Sequence, residues 1–70
     1  MDINGTLDVD AGTFDINGLT LNCYDNVNVN NGGILHLLNN STLALHLSEL
    51  HVNNGGWLMA IATAGNDMSS

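Results

Sequence analysis

The chain has no lysine, no arginine and no proline, and only one cysteine and one glutamate. Nucleic-acid binding rests on cationic side chains that displace counterions from phosphates, and none is present here. The same gap excludes a polybasic membrane patch, and no apolar run reaches the length of a membrane span. Cys23 has no second cysteine to pair with, so no internal disulfide forms, and no Cys/His cluster has a zinc-finger spacing. With one glutamate, twelve asparagines and eight glycines, the composition is poor for helix. Met1-Asp2-Ile3-Asn4 offers neither the basic start nor the apolar run of a secretory leader.

The carboxylates Asp2, Asp8, Asp10, Asp15, Asp25, Glu49 and Asp67 have no cation to pair with, so solvent, histidine or a bound metal must balance them. A chain of 70 residues makes one domain. At this size a single core supplies only about 3 to 5 kcal/mol. Lacking disulfide and zinc, it must draw further stability from association or from a longer parent chain.

Within Val27 to Ala60 one segment is written twice. Val27-Asn28-Val29-Asn30-Asn31-Gly32-Gly33-Ile34-Leu35 returns 23 positions later as Leu50-His51-Val52-Asn53-Asn54-Gly55-Gly56-Trp57-Leu58. A fainter copy, Leu7 to Phe14, lies 20 positions upstream of the first. Such a period predicts stacked repeats, each closing its core only against its neighbours. The alternation Leu7-Asp8-Val9-Asp10 predicts a strand with one buried face, followed by short strands around Phe14 to Ile16 and Leu19 to Asn22. Three strands per lap describe one coil of a β-solenoid. In the second lap Val27 and Val29 are expected above Leu7 and Val9, with strands at Leu35 to Leu37 and Leu43 to Leu47. The third lap opens at Leu50 to Val52 and continues through Trp57 to Ile61. The fold expected is therefore all-β, a short parallel β-helix of about three coils over residues 1–61, with an irregular tail at 62–70. The alternative is an antiparallel hairpin meander or sandwich, because Asn-Gly between alternating runs is also a hairpin signal. The long repeat favours the solenoid, since hairpins require no near-identical copies.

Gly5-Thr6-Leu7-Asp8-Val9, then Ala11 to Gly18, and the Val-Asn-Asn-Gly-Gly corner resemble the degenerate repeats of secreted right-handed parallel β-helix proteins, such as autotransporter passenger domains and bacterial adhesins. The resemblance covers residues 5–61. It implies right-handedness, an extracellular or cell- or virion-surface location, and a stalk or display role. Some β-helices cleave polysaccharides with clustered carboxylates, often helped by basic residues that are absent here.

The special feature expected is a structural ladder, with Asn30 over Asn53, Asn31 over Asn54, and Gly32 and Gly55 at the corner, the amides bonding along the axis. Trp57, replacing Ile34, is expected as core filler, or with Tyr24 as a sugar-stacking ligand contact. Asp8, Asp10 and Asp15 could offer oxygens to calcium, but no calcium-loop motif surrounds them, so solvated carboxylates and no cofactor are expected. His36 and His46 are expected to face outward, and His51 to stack above Asn28 and Asp8, without metal spacing. Cys23 is expected as a small corner or core residue, and Ser41 and Ser48 stand in no nucleophile motif. Asn4, Asn39 and Asn40 begin glycosylation sequons, a frequent accident in Asn-rich chains. The resulting expectation is a non-enzymatic structural module that self-associates end to end or joins further coils of a parent chain. A carbohydrate-binding or host-attachment surface, such as a phage fibre segment, is the alternative.

Overall fold

The structure is a computed structural model that describes residues 1–60 and 67–69. Its strands are β1 (Asp2–Ile3), β2 (Leu7–Val9), β3 (Gly12–Asn17), β4 (Thr20–Cys23), β5 (Val27–Val29), β6 (Gly33–Leu38), β7 (Thr42–Leu45), β8 (Leu50–Val52), β9 (Trp57–Ala60) and β10 (Asp67–Ser69), with no helix among the described residues. They form three sheets, ordered β1-β4-β7-β10, β2-β5-β8 and β3-β6-β9, and every pairing is parallel. Each lap contributes one strand to each sheet, so the fold is a short β-solenoid of about three coils. Parallel pairing throughout excludes the hairpin meander. A parallel neighbour needs a crossover, and here the crossover is the rest of the lap.

The register follows from period-two alternation. Leu7, Val27 and Leu50 form one column, and Val9, Val29 and Val52 form another, with Asp8, Asn28 and His51 between them on the opposite face. In the neighbouring sheet Phe14, Leu35 and Leu58 align, as do Ile16, Leu37 and Ala60. Leu21 over Leu43 and Ile3 over Cys23 over Leu45 complete the interior. The middle lap is the best covered, with Val27, Val29, Leu35, Leu37 and Leu43 fully buried, and Cys23 at the end of β4 is fully buried beneath it. Burying a side chain of this kind contributes about 1.5 to 3 kcal/mol. Cys23 is thus a core residue whose thiol pKa is raised by burial.

The two glycines of the repeated corner have different causes. Gly32 and Gly55 hold φ of 86° and 84°, a left-handed conformation that strains residues with a Cβ. Gly33 and Gly56 have no such φ, yet a Cβ on either would fall within 3.0 Å of the carbonyl of the lap before it, that of Val9 or Val29. Those carbonyls accept the amides of Asn30 and Asn53 at 2.9 Å. The first glycine lets the chain turn, and the second lets adjacent laps touch.

Three expectations need correction. The strand expected to run to Leu47 ends at Leu45, because Leu47 adopts φ 53° and turns out of the sheet. Of the tail expected at 62–70, Asp67–Ser69 is not irregular but strand β10, which pairs with Thr42 to Ala44 of β7, while residues 62–66 and 70 lie outside those described. Trp57 is not core filler: it aligns with Ile34 and Thr13 on the outward column of its sheet and is 64 % exposed.

Candidate functional site

The polar side chains between the buried columns are tied together along the solenoid axis. Asn22 Nδ2 donates to Asp2 Oδ1 at 3.1 Å, Asn28 Nδ2 to Asp8 Oδ1 at 2.9 Å, and Asn30 Nδ2 to Asp10 Oδ1 at 2.8 Å. Asn53 Nδ2 extends the last of these by donating to Asn30 Oδ1 at 2.7 Å. In a further column Asn39 Nδ2 donates to Asn17 Oδ1 at 2.8 Å. A carboxylate can only accept, so the amide facing it must present nitrogen, and its oxygen is left for the next lap. The same logic places the proton of His36 on Nδ1, 3.1 Å from Asp15 Oδ1, and makes His46 Nε2 the donor to Asn22 Oδ1 at 3.0 Å. In each of these bonds the donor belongs to the later lap and the acceptor to the earlier one.

Of the residues expected in the ladder, Asn30 and Asn53 are joined directly. Asn31 and Asn54 are not: the Asn31 side chain lies instead against Gly55, in the space a Cβ there would need. Gly32 N donates to Gly55 O at 2.9 Å, so backbone makes the connection that side chains were expected to make. His51 does align with Asn28 and Asp8, but its Nε2 approaches Glu49 Oε1 at 3.1 Å within its own lap.

The two ends of the solenoid differ. At the first lap Val9 is only 5 % exposed and Ile16 1 %, while Leu7 and Phe14 are half-buried. At the third lap Val52, in the same column as Val9, is 45 % exposed, and Leu58 is half-buried. Strands β2 and β3 at one end and β8 and β9 at the other pair on one side only among the described residues. Their outer edges present backbone donors and acceptors of the kind that recruits a further strand.

Tyr24 and Trp57 are not brought together. Tyr24 follows β4 at a corner and stacks on His46, with centroids 4.7 Å apart and planes 19° from parallel. Trp57 opens β9 on a different sheet, beside the outward and exposed Met59. Asp8, Asp10 and Asp15 each stand in a separate column with a donor from the next lap, and no group of three metal-capable side chains converges among the described residues.

Several polar contacts had no signal in the repeat. The pairs Asp2–Asn22, Asn17–Asn39 and Asn22–His46 span 20, 22 and 24 residues, so no one period links them. Ser48 Oγ donates to Cys23 O at 3.0 Å and Glu49 N to Asn26 Oδ1 at 3.0 Å, fastening a corner that the pattern left open. Compared with known proteins, the chain matches no family model, no curated protein and no solved structure.

Proposed function

We propose that this chain is a non-enzymatic structural module, a β-solenoid segment whose coil ends join further coils, in a stalk, fibre or adhesin outside the cell or on a virion surface. The observation that carries this reading is the third lap, where Val52 is 45 % exposed although its column partner Val29 is fully buried. One more coil would bury that surface and pair the open edges of β8 and β9. The location rests on the resemblance to secreted β-helix repeats and on a polar surface with few charges. Size-exclusion chromatography with light scattering, at about 0.15 M salt where surface charges are well screened, tests the association over a dilution series. Assembly that grows with concentration is the expected result. A monomer that persists at high concentration would remove the self-associating part of the proposal.

A second reading, an attachment surface for carbohydrate, is favoured by Trp57. An indole 64 % exposed on an outward column offers a flat apolar face to a sugar ring. A glycan array tests it, with Trp57→Ala expected to abolish any binding and to change stability by no more than about 0.5 kcal/mol. Binding that survives the substitution would discard this reading.

A further inference from the structure

We infer that copies of this chain stack head to tail, the first lap of one seating on the third lap of the next in the register the laps already use. This rests on the reading of the coil ends as joining surfaces, and it adds the polarity of the joint. The end at β2 and β3 is here the head, and the end at β8 and β9 the tail.

Three observations fix the polarity. The inter-lap side-chain bonds that reach the aspartates of the head run one way, from the later strand to the earlier, so the head carries acceptors in these columns where the tail carries His51 and Asn53. At one corner a bond runs the other way, from Thr6 Oγ1 to Asp25 Oδ2 at 3.3 Å. Asp8, Asp10 and Asp15 lie on the first lap, each taking a bond from the second, and Asp2 on β1 at the same end takes one from Asn22 of β4. In the same columns the third lap carries His51 after Asp8 and Asn28, and Asn53 after Asp10 and Asn30. A head placed below a tail sets Asp8 against His51 and Asp10 against Asn53, acceptor to donor, about 4.8 Å apart across the strands. Head against head would oppose four carboxylates with four more, and like charges across paired strands destabilise.

The second observation concerns the core. The tail exposes Val52, and the head supplies Val9 for the same column, so the exposed valine gains the cover that Val29 has. The third is symmetry. The cross-section has three unlike sides, with strands of three residues on one sheet and six on another. A two-fold axis across the solenoid can set only one sheet against itself and must exchange the other two. Translation along the axis matches all three. The joint is therefore heterologous and does not close, so it propagates into a filament.

The test uses two exposed positions that the head-to-tail joint alone brings together. Asp8→Cys and His51→Cys chains are prepared separately, and far-UV circular dichroism establishes that each keeps its strands. Each is treated with a short bis-maleimide, Cys23 being fully buried and silent. Neither variant alone is expected to cross-link, and an equal mixture is expected to give covalent dimers. Dimers from Asp8→Cys alone would show a head-to-head joint, and dimers from His51→Cys alone a tail-to-tail joint; either overturns the inference while leaving self-association intact. Val52→Lys provides a second measurement without cysteines. Its charge on the tail is expected to reduce the mass seen by light scattering to that of one chain, and chains that still pair would refute the proposed polarity. A wild-type monomer at every concentration would remove the joint itself.

Discussion

Replacing Gly33 with alanine asks whether adjacent laps touch as closely as the structure shows. The added methyl would lie within 3.0 Å of the Val9 carbonyl, whose oxygen already holds the Asn30 amide at 2.9 Å. Neither atom is the end of a flexible side chain, so the first and second laps must part locally. Overfilling a packed site costs about 1 to 3 kcal/mol. Weakening the adjoining ladder bond adds about 0.5 to 1.5 kcal/mol. Against this, alanine restricts the unfolded chain and returns about 0.4 to 1 kcal/mol. The net loss is about 2 to 3 kcal/mol, most of what a core of this size supplies. It should lower the midpoint of thermal unfolding by about 10 to 20 °C. Gly32→Ala meets nothing closer than 3.6 Å and bears only its φ of 86°. Its loss should be about 0.5 to 1 kcal/mol, the left-handed penalty less the gain in the unfolded state. Gly5→Ala has open space and an ordinary φ, so it should be neutral or slightly stabilising. Urea unfolding followed by circular dichroism ranks the three. If Gly33→Ala were as stable as Gly5→Ala, the close approach of the laps, and with it the account of the repeated Gly-Gly, would be wrong.

The asparagine column predicts unequal losses: Asn30 makes two inter-lap bonds and Asn53 one. Asn30→Ala should cost about 1 to 2 kcal/mol and Asn53→Ala about half that, taking a net of roughly 0.5 to 1 kcal/mol per exposed bond; equal values in urea titrations would argue against the ladder. Leu47 lies at φ 53° with its side chain fully in solvent. Leu47→Gly should therefore raise stability by about 0.5 to 1 kcal/mol, the relieved strain exceeding the entropy cost of glycine, and a lower thermal midpoint would count against it. Burial raises the Cys23 thiol pKa, so the folded chain keeps its proton at pH values where the unfolded chain loses it. The stability this contributes is complete below about pH 8.5 and is lost as pH rises toward the folded pKa. Urea midpoints between pH 7 and 9.5 should fall on the alkaline side in wild type and fall less in Cys23→Ala.

The architecture was legible where successive laps have equal length. Val27 pairs with Leu50 and Ile34 with Trp57, both 23 residues on, so the second and third laps align without gaps and the repeat stands out. The first lap is shorter, and Leu7 pairs with Val27 at 20, Gly12 with Gly33 at 21 and Thr20 with Thr42 at 22. One residue is added at each successive corner while the sides keep their register, which blurs the early copy to any single period. The added residues settle into left-handed backbone: Gly32, Asn39 with Asn40, and Leu47 all have positive φ. Glycine and asparagine announce such places, but Leu47 does not, which is why the third side of the second lap was read two residues too long. Trp57 was misplaced for another reason. Alternation tells that Trp57 and Leu58 face opposite ways, and apolar residues occupy both faces of this sheet, so composition does not say which of them is inside. The Asn31 column differs because the Asn31 side chain lies against Gly55, which has no Cβ to exclude it, and identical Asn-Asn-Gly-Gly letters in both laps do not distinguish that contact from an amide over an amide.

The mismatches between laps are as informative as the identities. A β-solenoid stacks like on like, which suits valine and leucine and penalises aspartate. Two carboxylates in one column about 4.8 Å apart repel by about 0.9 kcal/mol even at the dielectric constant of water. With no lysine or arginine in the chain, no cation can be interposed. The sequence replaces the aspartate at the next lap instead: Asp8, Asn28 and His51 stand in one column, Asp10, Asn30 and Asn53 in another, Asp15, His36 and Met59 in a third. In each case the carboxylate comes first and a nitrogen donor follows, turning a like-charge contact into a hydrogen bond. Exact repetition would forfeit those bonds and accumulate the repulsion along every column. The columns that begin with a carboxylate must therefore depart from exact repetition at the next lap, whereas the uncharged corner, with Asn53 bonded over Asn30 and its paired glycines, can repeat residue for residue.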